Sequence, residues 1–206
     1  MNYFITGTDT DAGKTYVTCL LLEALKREGK RAVGFKPFCC GDRMDAEHLL
    51  QASAGGVSVD QVNPLWLKVP AAPYAAALME NRVIDFDSIR AAYDHLDGQF
   101  ETVLVEGAGG WEVPLAAGMT VADYAQNLGL PVIVVVNNKL GALNHALLTV
   151  KNIQARGLEC AGIILNYVRD ERDPASISNR AVLASFSEVP VLAEVMHGET
   201  EIDWPL

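Results

Sequence analysis

One stretch of the sequence decides the fold: Gly7-Thr8-Asp9-Thr10-Asp11-Ala12-Gly13-Lys14-Thr15. It follows the apolar run Tyr3-Phe4-Ile5 directly and leads into an amphipathic segment that begins at Lys14. A glycine-rich turn between a buried strand and a helix is where backbone N–H groups and a helix N-terminus can hold phosphates. The motif therefore predicts that Lys14 reaches the β- and γ-phosphates of a nucleotide and that the Thr15 hydroxyl binds magnesium.

The spacing of this phosphate loop departs from the common pattern. Five residues separate Gly7 from Gly13, one more than usual. Either the loop is one residue longer, or Thr8 takes the place of the first glycine. The alternative is a glycine-rich turn with an incidental lysine, and the sequence Gly-Lys-Thr at a helix start argues against it.

Short apolar runs alternate with longer helical patterns along the chain. The helical patterns at Lys14 to Glu28 and Asn144 to Arg156 each end at a glycine. The apolar runs are Tyr3-Phe4-Ile5, Ala32 to Phe35, Thr102 to Val105, Val132 to Val136, Gly162 to Leu165 and, more weakly, Val189 to Leu192. Continuous runs rich in Val and Ile are typical of strands buried on both faces. We expect one α/β domain over residues 1–206, of the P-loop NTPase fold class, with a mostly parallel sheet between helices and a long loop from Asn63 to Pro73.

Composition and charge limit the class of protein. The chain has 206 residues, of which 50% are hydrophobic and 20% charged, as expected of one globular domain. Its formal net charge of -10 argues against a nucleic-acid or membrane partner, because both need a basic face. No apolar run approaches the length of a membrane span. The four cysteines form no C-x-x-C pair and are expected to be reduced thiols in a cytoplasmic protein.

An acid and a second lysine follow two further strands. The run at Thr102 to Val105 ends in Glu106, where a P-loop enzyme places a metal-positioning carboxylate. The run at Ala32 to Phe35 ends at Lys36-Pro37. Because the carboxyl ends of parallel strands meet at one edge of the sheet, both side chains are expected beside the phosphate loop. From the residues alone, a surface lysine at a strand end is the commoner interpretation of Lys36.

Together these motifs resemble the dethiobiotin synthase family, from Thr6 to about Val168. The resemblance is carried by the phosphate loop, Lys36-Pro37, Val105 to Trp111, Lys139-Leu140-Gly141 with Asn144-His145, and Asn166. It implies that 7,8-diaminopelargonic acid, carbon dioxide (or bicarbonate) and ATP give dethiobiotin, ADP and phosphate, with Mg²⁺ as cofactor. One amine becomes a carbamate, the carbamate attacks the γ-phosphate to give a mixed anhydride, and the second amine closes the ring.

The resemblance also implies residue roles. Lys14 and Lys36 would be catalytic, with Lys36 stabilising the carbamate and the transferring phosphoryl group. Thr15, Asp45 and Glu106 would bind the metal. Asn166 would hydrogen-bond the adenine edge, within an ATP-binding set that comprises Asp11, Ala12, Gly13, Lys14, Thr15, Tyr16, Glu106, Gly109 and Asn166. The substrate-binding set would comprise Thr10, Lys36, Cys40, Gly141 and Asn144. In the family, the region around Gly141 to Asn144 acts across the subunit interface, which implies a homodimer with shared sites.

Two features depart from the family pattern. Cys40 stands where the family usually has a serine, and a thiol is a weaker hydrogen-bond donor. The segment from Glu194 to Leu206 aligns poorly with the family's nucleotide-base loop.

Three alternative functions remain open. A partition-type ATPase switch shares the fold but carries a lysine five positions before the motif lysine, where this chain has Asp9. An amide-forming synthetase of cobyrinate type usually continues into a glutaminase domain, which we do not expect here. A diverged family member could bind nucleotide without closing the ring, and Cys40 is the residue that suggests it.

Overall fold

Strands and helices alternate along the chain, as the sequence predicts. The computed structural model describes residues 1–206. The strands are β1 (Tyr3–Gly7), β2 (Ala32–Phe35), β3 (Phe38–Cys40), β4 (Leu65–Leu67), β5 (Thr102–Gly110), β6 (Pro114–Ala116), β7 (Met119–Thr120), β8 (Val132–Asn137), β9 (Cys160–Asn166) and β10 (Val191–Val195). The helices are α1 (Lys14–Arg27), α2 (Met44–Ala52), α3 (Val59–Val62), α4 (Pro73–Met79), α5 (Phe86–Asp97), α6 (Val121–Leu128), α7 (Ala142–Ala155) and α8 (Pro174–Phe186).

Six strands form one parallel sheet in the order β10-β9-β8-β1-β5-β2. β1 lies inside the sheet, with Ile5 opposite Glu106 of β5 and Ile133 of β8. Every residue of β1 and β2 is buried. Successive side chains of β1 point to opposite faces: Tyr3 packs on Trp204, and Phe4 packs on Trp111 and Tyr124. Both faces of the sheet are therefore covered, which confirms the α/β fold class predicted from the Val- and Ile-rich runs.

Glycines end the two helices that the sequence predicts. Gly29 and Gly157 follow α1 and α7 with φ angles of 77° and 74°, a left-handed conformation that terminates a helix at little cost only for glycine. α7 begins two residues before the predicted Asn144, with Gly141 as its N-cap. None of the helices is both long and apolar enough to cross a bilayer.

Two sequence expectations are wrong in detail. The segment from Asn63 to Pro73 is not one loop, because Leu65–Leu67 pairs in parallel with β3 and Pro73 begins α4. The buried amide of Asn63 donates to the carbonyl oxygens of Lys36 and Leu65, at 2.7 and 2.9 Å, and holds this short strand in place. The last strand runs from Val191 to Val195 rather than from Val189 to Leu192. Pro190 has no N–H for the ladder, and its carbonyl oxygen accepts from Ile163 just before the strand begins.

Gly34 of β2 is predicted to tolerate no side chain, not even that of alanine, without a loss of stability. A Cβ atom there would lie 2.9 Å from Leu49 Cβ and 3.1 Å from Leu22 Cδ1, which are packed atoms of α2 and α1. Gly34→Ala should therefore lower the free energy of unfolding by about 1–3 kcal/mol through overpacking, measured by urea denaturation. Gly98→Ala is the matched control, because the nearest atom to its Cβ would be 3.5 Å away; equal effects of the two changes would contradict this account.

Candidate active site

The phosphate loop joins β1 to α1 in a strained conformation. Gly13 has a φ of 81°, and Asp11 has a φ of 58°, a left-handed value that non-glycine residues rarely adopt. Lys14 folds back over the loop, and its Nζ donates to the carbonyl oxygen of Asp9 at 3.3 Å. A Cβ atom on Gly7 would lie 3.0 Å from that Nζ. Since the carbonyl oxygen of Asp9 would lie at 2.9 Å from the same Cβ, the loop has no room for a side chain at Gly7.

Lys14 is an ammonium group without an ion-pair partner of its own. Its side chain is buried, and desolvation together with the charge of Lys36 lowers its pKa to about 8, against the opposing effects of Glu106 and Asp45. A buried cation in this condition gains stability from an anion. The phosphates of a nucleotide would supply that anion at the N-terminus of α1.

Glu106 is the centre of the site. It lies at 0% exposure in β5, and its Oε1 accepts from Thr15 Oγ1 at 2.8 Å and from Lys36 Nζ at 2.5 Å. The same Nζ lies 2.8 Å from Oδ2 of Asp45, in the first turn of α2. The structure therefore brings together Thr15, Lys36, Asp45 and Glu106, which come from four separate parts of the chain.

The oxygen atoms at this centre fit a magnesium ion. Glu106 Oε2 is buried and has no hydrogen-bond partner, which is costly unless a cation or donor completes the site. Burial raises the pKa of Asp45, but the charge and hydrogen bond of Lys36 outweigh it and hold that pKa below its ordinary value. A hydroxyl and two carboxylates are the hard ligands that Mg²⁺ prefers, alongside phosphate oxygens.

A cavity of about 580 Å³ opens beside this centre. Lys36, Thr10, Cys40 and Gly109 line it, together with the segment from Pro70 to Pro73. The remaining wall combines apolar side chains such as Phe38 and Val113 with the carboxylates of Asp11, Asp42 and Asp45. Thus three of the predicted substrate-binding residues share one cavity with the predicted metal centre.

The other two predicted substrate-binding residues do not reach this cavity. Gly141 and Asn144 lie at the start of α7, where both are exposed. The resemblance assigns this region to contact across a subunit interface, and a single chain does not test that assignment.

The Cys40 side chain is an ordinary thiol. Burial, and to a smaller extent the neighbouring Cys39, raises its pKa to about 11. At neutral pH it is therefore protonated, and it can offer a substrate only the weak S–H donor.

Asn166 makes a different contact from the one predicted. At the end of β9, its Nδ2 donates to the carbonyl oxygen of Ala12 at 2.9 Å, and a Cβ on Gly13 would lie only 2.1 Å from the same nitrogen. The amide therefore holds the phosphate loop in shape. Asn166 also lines a cavity of about 250 Å³ with Gly13, Tyr16 and His197, so the adenine contact stays a prediction.

The C-terminal segment closes that second cavity through contacts that the sequence does not predict. The Tyr16 hydroxyl donates to the carbonyl oxygen of Glu199, and His197 Nδ1 lies 2.9 Å from the carbonyl oxygen of Val168. Both are single contacts between distant parts of the chain, so no local pattern could reveal them.

Comparison with known proteins identifies the family. A family model described as an AAA domain matches residues 1–200. An ATP-dependent dethiobiotin synthetase of Akkermansia muciniphila is 48% identical over 202 residues, with 98% of this chain and 95% of that protein covered. The enzyme of the same name from Aromatoleum aromaticum is 44% identical over 206 residues, covering 95% and 90% of the two chains. The chain belongs to the dethiobiotin synthetase family.

Two solved structures share the fold of this dethiobiotin synthetase family member. The cell division ATPase MinD of Pyrococcus furiosus matches with a TM-score of 0.57 at 18% identity, covering 95% of this chain and 83% of that one. Cobyrinic acid a,c-diamide synthase from Mycobacterium smegmatis matches with a TM-score of 0.55 at 19% identity, covering 93% and 84%. At these identities the likeness shows the fold alone.

Gly13→Ala is predicted to weaken ATP binding by at least about tenfold, since displacing Asn166 from the loop costs at least about 1.4 kcal/mol. The reason is the clash at 2.1 Å combined with the left-handed φ of Gly13. Calorimetric titration with a non-hydrolysable ATP analogue measures the effect. Gly118→Ala is the control, because its φ is 71° but its Cβ would have no atom within 4 Å. Unchanged affinity of Gly13→Ala would refute the role given to Asn166.

Proposed function

We propose that this protein is an ATP-dependent dethiobiotin synthetase that carboxylates 7,8-diaminopelargonic acid and closes its ureido ring. One observation carries the proposal. Lys36, Glu106 and Asp45 form a cluster that contacts the phosphate loop on one side and the 580 Å³ cavity on the other. A γ-phosphate held by the loop would face a substrate in that cavity. The curated relatives support the same reaction through their name.

The phosphate loop and Lys14 bind the nucleotide. Backbone N–H groups at the start of α1 and the Lys14 ammonium hold the β- and γ-phosphates. Their positive charge also stabilises the charge that develops as the γ-phosphoryl group moves to the carbamate oxygen and ADP leaves. The resulting mixed anhydride carries phosphate as a leaving group, which the second amine expels when it closes the ring.

Lys36 lies on the side of the γ-phosphoryl group that faces the substrate. Its Nζ lies at the junction between the carboxylates and the cavity, where a cation stabilises both the carbamate and the moving phosphoryl group. The second amine attacks within the same bound molecule, so ring closure gains from proximity. The apolar wall formed by Phe38, Pro70 and Val113 suits the alkyl chain of the diamine.

Magnesium completes this proposal. Thr15, Asp45 and Glu106 would hold it, and the orphaned Glu106 Oε2 supports that assignment. When bound, the ion neutralises charge on the β- and γ-phosphate oxygens.

The assembly and location are part of the same proposal. We infer a homodimer in which Gly141 and Asn144 of one subunit meet the substrate site of the other. Leu140 and Leu148 flank this region at 79% and 60% exposure, which supports an interface there. A cytoplasmic location is supported by four free cysteines, two of them adjacent.

The deciding experiment supplies ATP, magnesium and bicarbonate, with and without 7,8-diaminopelargonic acid. Phosphate release should depend on the diamine, and mass spectrometry should detect a product of dethiobiotin mass. ATP hydrolysis indifferent to the diamine would favour a nucleotide switch instead. Absence of any hydrolysis would favour the alternative in which a diverged family member binds nucleotide without closing the ring.

Lys36→Gln is predicted to lower kcat by at least about a hundredfold at saturating magnesium, because one preorganised charge at the reacting group is lost. ATP affinity should change little, since Lys14 and the loop retain the phosphates. Lys30→Gln, a change of an exposed lysine in the turn before β2, is the control. Steady-state kinetics separate the two parameters; a loss confined to ATP affinity would contradict the role of Lys36.

A further inference from the structure

We propose that Lys36 is the resident counter-cation of the two metal carboxylates and keeps a divalent ion out of the site until the nucleotide arrives. The inference rests on the magnesium ligands of the proposed function. It adds an order of binding, in which the metal does not enter before the nucleotide, that the reaction itself does not require.

The geometry places the Lys36 ammonium where a metal would otherwise bind. Its Nζ lies 2.5 Å from Glu106 Oε1 and 2.8 Å from Asp45 Oδ2, so it bridges the carboxylates of β5 and α2. The Thr15 hydroxyl donates to the same Oε1 at 2.8 Å. Two of the three proposed metal ligands thus contact the Lys36 ammonium directly, and the third, Thr15, shares Glu106 Oε1 with it. Lys36 itself is only 4% exposed.

The charges of this cluster are already balanced. Lys14 and Lys36 carry two positive charges, and Glu106 and Asp45 carry two negative charges. A divalent ion entering alone would add two uncompensated positive charges beside Lys14, Lys36 and Glu106, which are all buried, and this is unfavourable. The phosphates of ATP bring the missing negative charge, so metal and nucleotide enter together.

Entry of the metal would free Lys36 for the substrate. Its ammonium ends a flexible four-carbon stem, and its side chain already lines the 580 Å³ cavity. Once a divalent ion satisfies Glu106 and Asp45, the ammonium can leave them and turn towards the carbamate. Lys36 therefore acts as a positioning residue before the nucleotide binds and as a catalytic residue afterwards.

The test is binding of Mn²⁺ alone to nucleotide-free protein, followed by electron paramagnetic resonance. The native protein should bind weakly, and Lys36→Met should bind at least about tenfold more tightly, because a positive charge within 3 Å of both carboxylates is gone. Lys30→Met removes an equal charge at an exposed position and should match the native protein. No diamine or bicarbonate is present, so the outcome is independent of whether ring closure occurs.

One result would overturn the proposal: a Lys36 variant that folds but binds Mn²⁺, without nucleotide, no more tightly than the native protein does. If Lys36→Met does not fold, Lys36→Gln replaces it, because its amide can still donate to the carboxylates without the charge, and the same gain is expected.

Discussion

The buried carboxylate of Glu106 is the constraint on which the site depends. A charge at this depth is tolerated only when donors surround it. Its partners come from elements that the sheet brings side by side: Thr15 follows β1, and Lys36 follows β2. Phe35 pairs with Val105 and Ile5 with Glu106, so the strand register sets the distances among these side chains. The chemistry of the site is in this sense a property of the sheet.

A second constraint acts on the phosphate loop. Its conformation includes a left-handed Asp11, and such strain persists only where surrounding structure enforces it. The Asn166 amide provides that enforcement from β9, beyond β8 in the sheet. The nucleotide site is therefore built across four adjacent strands, from β9 to β5, rather than within the glycine-rich motif alone.

The sequence predicted the elements whose patterns are local. Continuous Val- and Ile-rich runs revealed the long strands, and the rule that parallel strands end at one edge predicted that Lys36 and Glu106 would meet. The three-residue strands β3 and β4 are too short to show a period. Asp45 and Cys40 entered only through the family resemblance. The contacts of Tyr16 and Asn166 join residues far apart in the chain, so no neighbouring pattern encodes them.

The position of β1 has a consequence for synthesis of the chain. This strand precedes the other strands in the sequence, yet its two neighbours in the sheet are β5 and β8, and its loop is held by Asn166. Pairings so distant in sequence form slowly, because a long loop must close first. On the ribosome, the apolar strand and its phosphate loop must therefore wait until the chain as far as Asn166 has emerged. A nascent chain of this fold cannot use nucleotide binding to stabilise its early intermediates.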